Sequence, residues 1–213
     1  MNNQSPKPYE IVPGHITTPW AQDVSPQLPH PEYPRPQMVR EAWQNLNGLW
    51  SCTVTSKDAP QPAVFPDQIL VPYAIESALS GVKRPLNPDE TLWYQRTFEL
   101  KPAWHEGRTL VHFGAVDWSC QLWINGKQVG DHIGGFDPFT FDITDTLHEG
   151  ENNLVLAVQD PTDAEPIQRG KQMRKPGFIW YTAVSGIWQT VWLEHVPETY
   201  LTSLKIIPVR SQW

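Results

Sequence analysis

Val116-Asp117-Trp118-Ser119-Cys120-Gln121-Leu122-Trp123-Ile124-Asn125-Gly126 is the stretch that sets the fold class. Val116, Trp118, Cys120, Leu122 and Ile124 recur at every second position, with Asp117, Ser119, Gln121 and Trp123 between them. Side chains of an extended strand alternate between its two faces, so this period predicts a half-buried strand with its apolar side on a core. Asn125-Gly126 supplies the residues that a type I′ hairpin turn requires, and 127–132 reads as the returning strand.

Outward from that hairpin the chain keeps the same character. Segment 48–55 places Trp50, Cys52 and Val54 on one face. Segments 69–74, 93–100, 108–115, 136–143, 153–159, 187–193 and 200–207 complete the expected strands, and a short helical turn is expected over 39–44. No ten-residue window has a 3.6-residue period. Strands separated by Gly, Pro and Asp turns predict an all-β protein, an antiparallel sandwich that suits a jelly roll.

The head of the chain is different. Prolines stand at 6, 8, 13, 19, 26, 29, 31, 34 and 36. Each fixes φ and removes a backbone donor, so this part can be neither helix nor inner strand. The expected division is a proline-rich arm over 1–42 and a β-sandwich domain over 43–213, with Trp20 and Tyr33 able to pin the arm down. The start, Met1-Asn2-Asn3-Gln4-Ser5-Pro6, has no basic n-region or apolar h-region, so as written it carries no secretory signal. That points to the cytoplasm, or to the periplasm or exterior if a signal has been removed.

Composition narrows the function. Sixteen basic and 23 acidic residues give a formal charge of −7, and no Lys/Arg run interrupts it. Such a chain has little to attract phosphate backbones or anionic membranes. Cys52 and Cys120 each fall in an apolar strand phase, which predicts two buried, unpaired thiols. The seven histidines have no metal-ligand or triad spacing, and His112 reads as a satisfied core residue. Asp137, Asp142 and Asp145 could join an oxygen-rich cation site, but turn capping is the expected role. No metal or cofactor is expected.

The eleven tryptophans invite a sugar-stacking role, because aromatic faces suit pyranose C–H faces. Trp50, Trp118, Trp188 and Trp192 have apolar companions in strand phase and are expected in the core. Trp123 falls on the polar phase, where it would cover a sheet edge or meet another domain. Between the strands ending at 159 and starting at 187 lies a connection far longer than usual, and such loops are commonly functional. It carries the candidate substrate-binding residues Arg169, Lys171, Gln172, Trp180 and Tyr181, which could equally be a solvated loop.

The chain resembles the sugar-binding domain of glycoside hydrolase family 2, the β-galactosidase and β-glucuronidase family. The blocks that carry this are Asn45-Leu-Asn-Gly-Leu-Trp50, Val71-Pro-Tyr-Ala-Ile-Glu-Ser-Ala-Leu-Ser-Gly81, Trp93-Tyr-Gln-Arg-Thr-Phe98, Phe113-Gly-Ala-Val-Asp-Trp118, Trp123-Ile-Asn-Gly126, Gly134-Gly-Phe-Asp-Pro-Phe-Thr-Phe-Asp-Ile143 and the stretch from Gly177 to Glu194. Their number, order and spacing make the match. It implies a galactose-binding-domain-like jelly roll. In the family this domain precedes an immunoglobulin-like domain and a (β/α)₈ barrel that carries two glutamates, ~5 Å apart in retaining enzymes. The chain has no Asn-Glu dipeptide, the family's acid/base signature, so no catalytic residue is carried over. The resemblance implies a non-catalytic accessory domain whose partners are carbohydrate and the family's other two domains. A stand-alone carbohydrate-binding module of the same fold is the alternative. Around Gly177 and Phe178 the sequence lacks the aspartate that some members use to hold the sugar, and it carries Arg169-Gly-Lys-Gln172 instead.

Overall fold

A computed structural model of the chain describes residues 8–14, 16–104 and 106–208. Its strands are β1 (Trp43–Asn45), β2 (Gly48–Ser56), β3 (Asp67–Val71), β4 (Glu90–Glu99), β5 (Arg108–Phe113), β6 (Val116–Asp117) and β7 (Ser119–Ile124). They continue with β8 (Lys127–Ile133), β9 (Phe139–Asp142), β10 (Glu151–Gln159), β11 (Gln172–Met173), β12 (Tyr181–Thr182), β13 (Gly186–Ile187) and β14 (Val191–Val196). Two antiparallel sheets face each other. The larger runs β3-β2-β4-β10-β7-β8 and the smaller β1-β14-β5-β9. This is the expected all-β sandwich.

Alternation decides what lies between the sheets. Trp50, Cys52, Leu92, Tyr94, Leu122, Leu154 and Leu156 point inward from the larger sheet, and Val111, Phe113, Val191 and Leu193 from the smaller. Trp50 is 1% exposed, donates its indole N–H to Leu46 O at 2.8 Å and meets the Tyr94 ring edge-on at 6.2 Å. Tyr94 Oη accepts from Ile187 N at 3.2 Å, so both polar atoms of this aromatic pair have partners, the condition for burying them. Cys52 and Cys120 are buried and unpaired. Asn125 and Gly126 take φ of 52° and 78°, as the hairpin between β7 and β8 requires.

Several expectations need correction. The alternating run 116–124 is cut in two after Asp117, at a cis Asp117–Trp118 peptide. Here β6 pairs with β13, while β7 joins the larger sheet. The phase therefore breaks: Asp117 is buried, whereas Trp118 is only half-buried. Trp188 is likewise half-buried, donating to Gly135 O at 2.8 Å. The strand expected over 187–193 is divided between β13 and β14. The helical turn comes earlier, as a 3-10 turn at Pro36–Met38, and Trp43–Asn45 is strand because β14 offers it a ladder. Segment 200–207 forms no strand. Residues 201–207 are exposed, and the segment's described contacts are with the Arg40 side chain, over Tyr200 and on Leu201 O, rather than with a strand that could offer a ladder.

Early in the proline-rich arm Tyr9 and Val12 bond to Leu79 O and Ala78 O, and its later part, 33–40, lies over the outer face of the smaller sheet. Its fastener is Glu194 on β14, a carboxylate with no exposed surface. Arg35 Nη2 lies 2.7 Å from both Glu194 oxygens, Arg40 Nε 2.9 Å from Oε2 and His112 Nε2 3.3 Å from Oε2. Trp192 Nε1 donates to Oε1 at 3.0 Å, and Tyr33 Oη donates to the same oxygen. Burial alone would push this carboxyl up. His112, Tyr33 and Trp192 outweigh that and hold it down at about 2. His112 is indeed buried, stacked on Trp192 and bonded through Nδ1 to Thr140, but its Nε2 makes no hydrogen bond beyond the approach to Glu194, and it faces the arm rather than the inter-sheet core. Trp20, by contrast, is 70% exposed and pins nothing.

Candidate functional site

The connection 160–186 is not slack. It starts at Asp160, which accepts from Thr162 N at 2.7 Å and so turns the chain at the end of β10. Arg174 pairs with Asp163 at 2.8 Å. Arg169 Nη1 donates to Gln172 O at 2.7 Å, and the parallel pair β11 and β12 ties Gln172 to Tyr181 and Met173 to Thr182. Tyr181 N donates to Lys171 O at 2.9 Å.

Below this loop is a buried polar floor. Gln172 Nε2 donates to Asp117 Oδ2 at 3.1 Å while its Oε1 accepts from Val184 N at 2.7 Å. Ser185 donates its hydroxyl to Asp160 Oδ2 at 2.7 Å and its N–H to Glu76 Oε2 at 2.9 Å. Glu76 Oε1 has no partner. Gly135 closes one side, where a Cβ would run into the Asp117 carboxylate. Burial, and then the charge of Asp160, raises Asp117 to about 7 against the Gln172 hydrogen bond. Burial likewise raises Glu76 to about 7, opposed by the Ser185 donors, and raises Asp160.

These acids do not form a glycosidase pair. Glu76, Asp117 and Asp160 are 5%, 2% and 1% exposed, and a glycosidic bond must sit between the two carboxyls it uses. Their work is to hold the loop. Among the described residues no group of three His, Cys, Asp or Glu is arranged to hold a metal ion. Asp142 caps a turn, accepting from Thr144 N at 3.0 Å, and pairs with Arg108 at 2.7 Å.

The five candidate residues divide. Gln172 points down into the floor. The other four form two cation–π pairs on the outer side, with the Arg169 guanidinium 5.5 Å over Trp180 and Lys171 Nζ 5.9 Å over Tyr181. Beside them Phe178 is fully exposed, and Ile179, Trp180 and Tyr181 are 48%, 38% and 66% exposed. Residues 166–186 hold four cations, Arg169, Lys171, Arg174 and Lys175, and no acid. The head is therefore basic and aromatic on an acidic protein. Glu76, Asp160 and Ser185 escaped sequence reasoning because they lie far apart in the chain and no local pattern marks a residue as floor.

The chain matches the family model described as "Glycosyl hydrolases family 2, sugar binding domain" over residues 33–197. A β-galactosidase of Clostridium acetobutylicum is 34% identical over 113 residues, 53% of this chain and 12% of that protein. A β-galactosidase of Priestia megaterium is 26% identical over 171 residues, 80% of this chain and 15% of that protein. The structure of a β-glucuronidase from an uncultured Clostridium species superposes with a TM-score of 0.56 at 25% identity, covering 76% of this chain and 30% of that one. The chain thus spans well under a quarter of the length of these two curated relatives.

Proposed function

The chain belongs to the sugar-binding domains of glycosyl hydrolase family 2, and on that premise we propose that it serves a β-glycosidase as a non-catalytic wall of the sugar cleft. The observation that carries this reading is the loop 160–186. A long connection is fastened to a buried acidic floor and raises a basic, aromatic head beyond the sandwich. Aromatic faces and forked donors are what sugar rings and their hydroxyls require. Arg169, Lys171, Trp180 and Tyr181 are the proposed contacts, and Gln172 is a positioning residue that holds them up. A catalytic barrel, the parent activity of hydrolysing O-glycosyl bonds and an immunoglobulin-like neighbour, which the family resemblance implies, belong to the same proposal.

The test is enzymatic. The purified 213-residue chain is expected to leave nitrophenyl β-galactoside, β-glucuronide, β-mannoside and β-glucoside intact, since the carboxyls clustered beneath the loop, Glu76, Asp117 and Asp160, are buried. Turnover that follows the protein through a second purification would overturn the non-catalytic assignment.

A further inference from the structure

The two sheets are finished differently on their outer sides. The arm seals the smaller one through Glu194. The larger has only the connection 57–66, whose Phe65 packs on Trp93, Trp123, Val155 and Ala157. Alternation directs these last four away from the main core, toward solvent. Trp93 and Trp123 lie 5.8 Å apart with their planes at 33°, and Trp123 stays half-buried.

Beside this aromatic pair, toward the end of the sandwich that bears the loop 160–186, the outer face is hollowed. The hollow holds about 260 Å³ and is lined by Ser119, Gln121, Asp131, Ile133, Ala157 and Gln159. Strand register explains how these meet. Gln121 on β7 stands opposite Asp131 on β8 and Ala157 on β10, and Ser119 stands opposite Ile133 and Gln159. Among the described residues, the side chains of Gln121 and Asp131 make no hydrogen bond or ion pair with protein, and both are exposed. Gln159 spends its amide N–H on Thr91 Oγ1 at 2.9 Å.

We propose that this hollow is a second carbohydrate subsite, on the outer face of the larger sheet, that takes roughly one ring of a neutral glycan chain. An amide and a carboxylate facing each other offer both donors and acceptors to vicinal hydroxyls. Trp123, two residues along β7 on the same face as Gln121, supplies the aromatic edge on which an adjoining ring packs. Charge selects for neutrality. No Lys or Arg lines the hollow, and His132, which also borders it, stacks its ring on Phe139 at 4.0 Å, so a uronate or sulfate would meet the Asp131 carboxylate without a lysine or arginine to offset it. Gln159 precedes Asp160 in the chain and Ser119 stands two residues after Asp117, so a glycan lying here runs up to the base of the loop. The subsite is separate from the basic loop head and does not depend on it.

The experiment is an NMR titration of the 213-residue chain with cellotetraose, xylotetraose, β-1,4-galactotetraose and, as the anionic control, tetragalacturonate. At least one neutral probe should shift the Trp123 indole N–H together with amides of β7, β8 and β10. Gln121→Ala and Asp131→Asn, both at exposed positions that the fold does not need, should each weaken that probe about tenfold. Trp180→Ala should leave it unchanged, and tetragalacturonate should not bind at these residues. The proposal is overturned if no neutral probe shifts these signals, if affinity survives Gln121→Ala and Asp131→Asn, or if it falls only with Trp180→Ala. The last outcome would leave the loop reading standing.

Discussion

Glu194 and Asp117 are both carboxylates with almost no exposed surface, and their surroundings drive them in opposite directions. Donors ring Glu194, so its ionised form is favoured. Asp117 has a second acid nearby and one amide donor, so its protonated form is favoured. The signs of the pH effects follow. Glu194, held at about 2, contributes stability above its unfolded value near ~4.5, and this is lost as pH falls toward 2. Glu76 and Asp117, each raised to about 7, contribute stability below ~4 that is lost as pH rises to 7. Because these acids interact with Asp160, they titrate together rather than singly. Urea denaturation should therefore find the chain less stable at pH 8 than at pH 5, by on the order of 3 kcal/mol. Asp117→Asn should flatten that decline. Arg35→Ala should cost about 3 kcal/mol by leaving a buried carboxylate short of a partner, with the arm's amides losing protection. A second test concerns the thiols. Burial pushes Cys52 and Cys120 up to about 12, so an aromatic disulfide reagent at pH 8 should label neither thiol in the native protein and both after unfolding.

At the scale of elements, the loop 160–186 and the strands around it should separate cleanly in hydrogen exchange. Strands β4 and β10 pair on both sides within the larger sheet and cover the core. The loop has a two-residue ladder, the Asp160 cap, the exposed Arg174–Asp163 pair and the side-chain ties of Gln172 and Ser185 to the floor, but no long ladder of its own. It is expected to exchange fastest of all segments between β1 and β14, and Gln172→Ala should speed exchange at Val184 and Tyr181 about tenfold further. A loop as slow as β10, slowed again by added monosaccharides, would favour a stand-alone binding module instead. The sequence made the β7–β8 hairpin legible, because Asn125-Gly126 and a period of two are local signals. It could not disclose the break after Asp117, since Val116 and Asp117 leave the larger sheet only because β13 is there to receive them. Trp43–Asn45 became a strand for the same reason, with β14 as its partner. Segment 200–207 carries the same apolar and β-branched residues and stays unpaired, so propensity alone did not decide it.

For the molecule as a whole, charge and exposed apolar surface point to one side. The chain is −7 overall, yet the loop head is basic and bears Phe178, Ile179, Trp180 and Tyr181 in the open. Patches of this kind on a single domain mark contact surfaces. The isolated chain should self-associate with concentration in sedimentation velocity, and Phe178→Ser with Trp180→Ser should return it to monomer. An unchanged profile would assign the head to sugar alone. Period-two alternation and the turn residues were enough to determine an all-β sandwich, because those signals act within a few residues, whereas the proline run kept the arm out of the sheets but did not exclude the 3-10 turns at Pro19–Asp23 and Pro36–Met38. The blocks between Asn45 and Glu194 were enough to determine the family. Which face the arm covers, and which acids meet beneath the loop, were decided only by tertiary structure. Arg35 and Glu194, like Glu76, Asp160 and Ser185, are brought together by sheet register and packing across most of the chain. Desolvation acts on what surrounds a group in space, so no local stretch of sequence contains it.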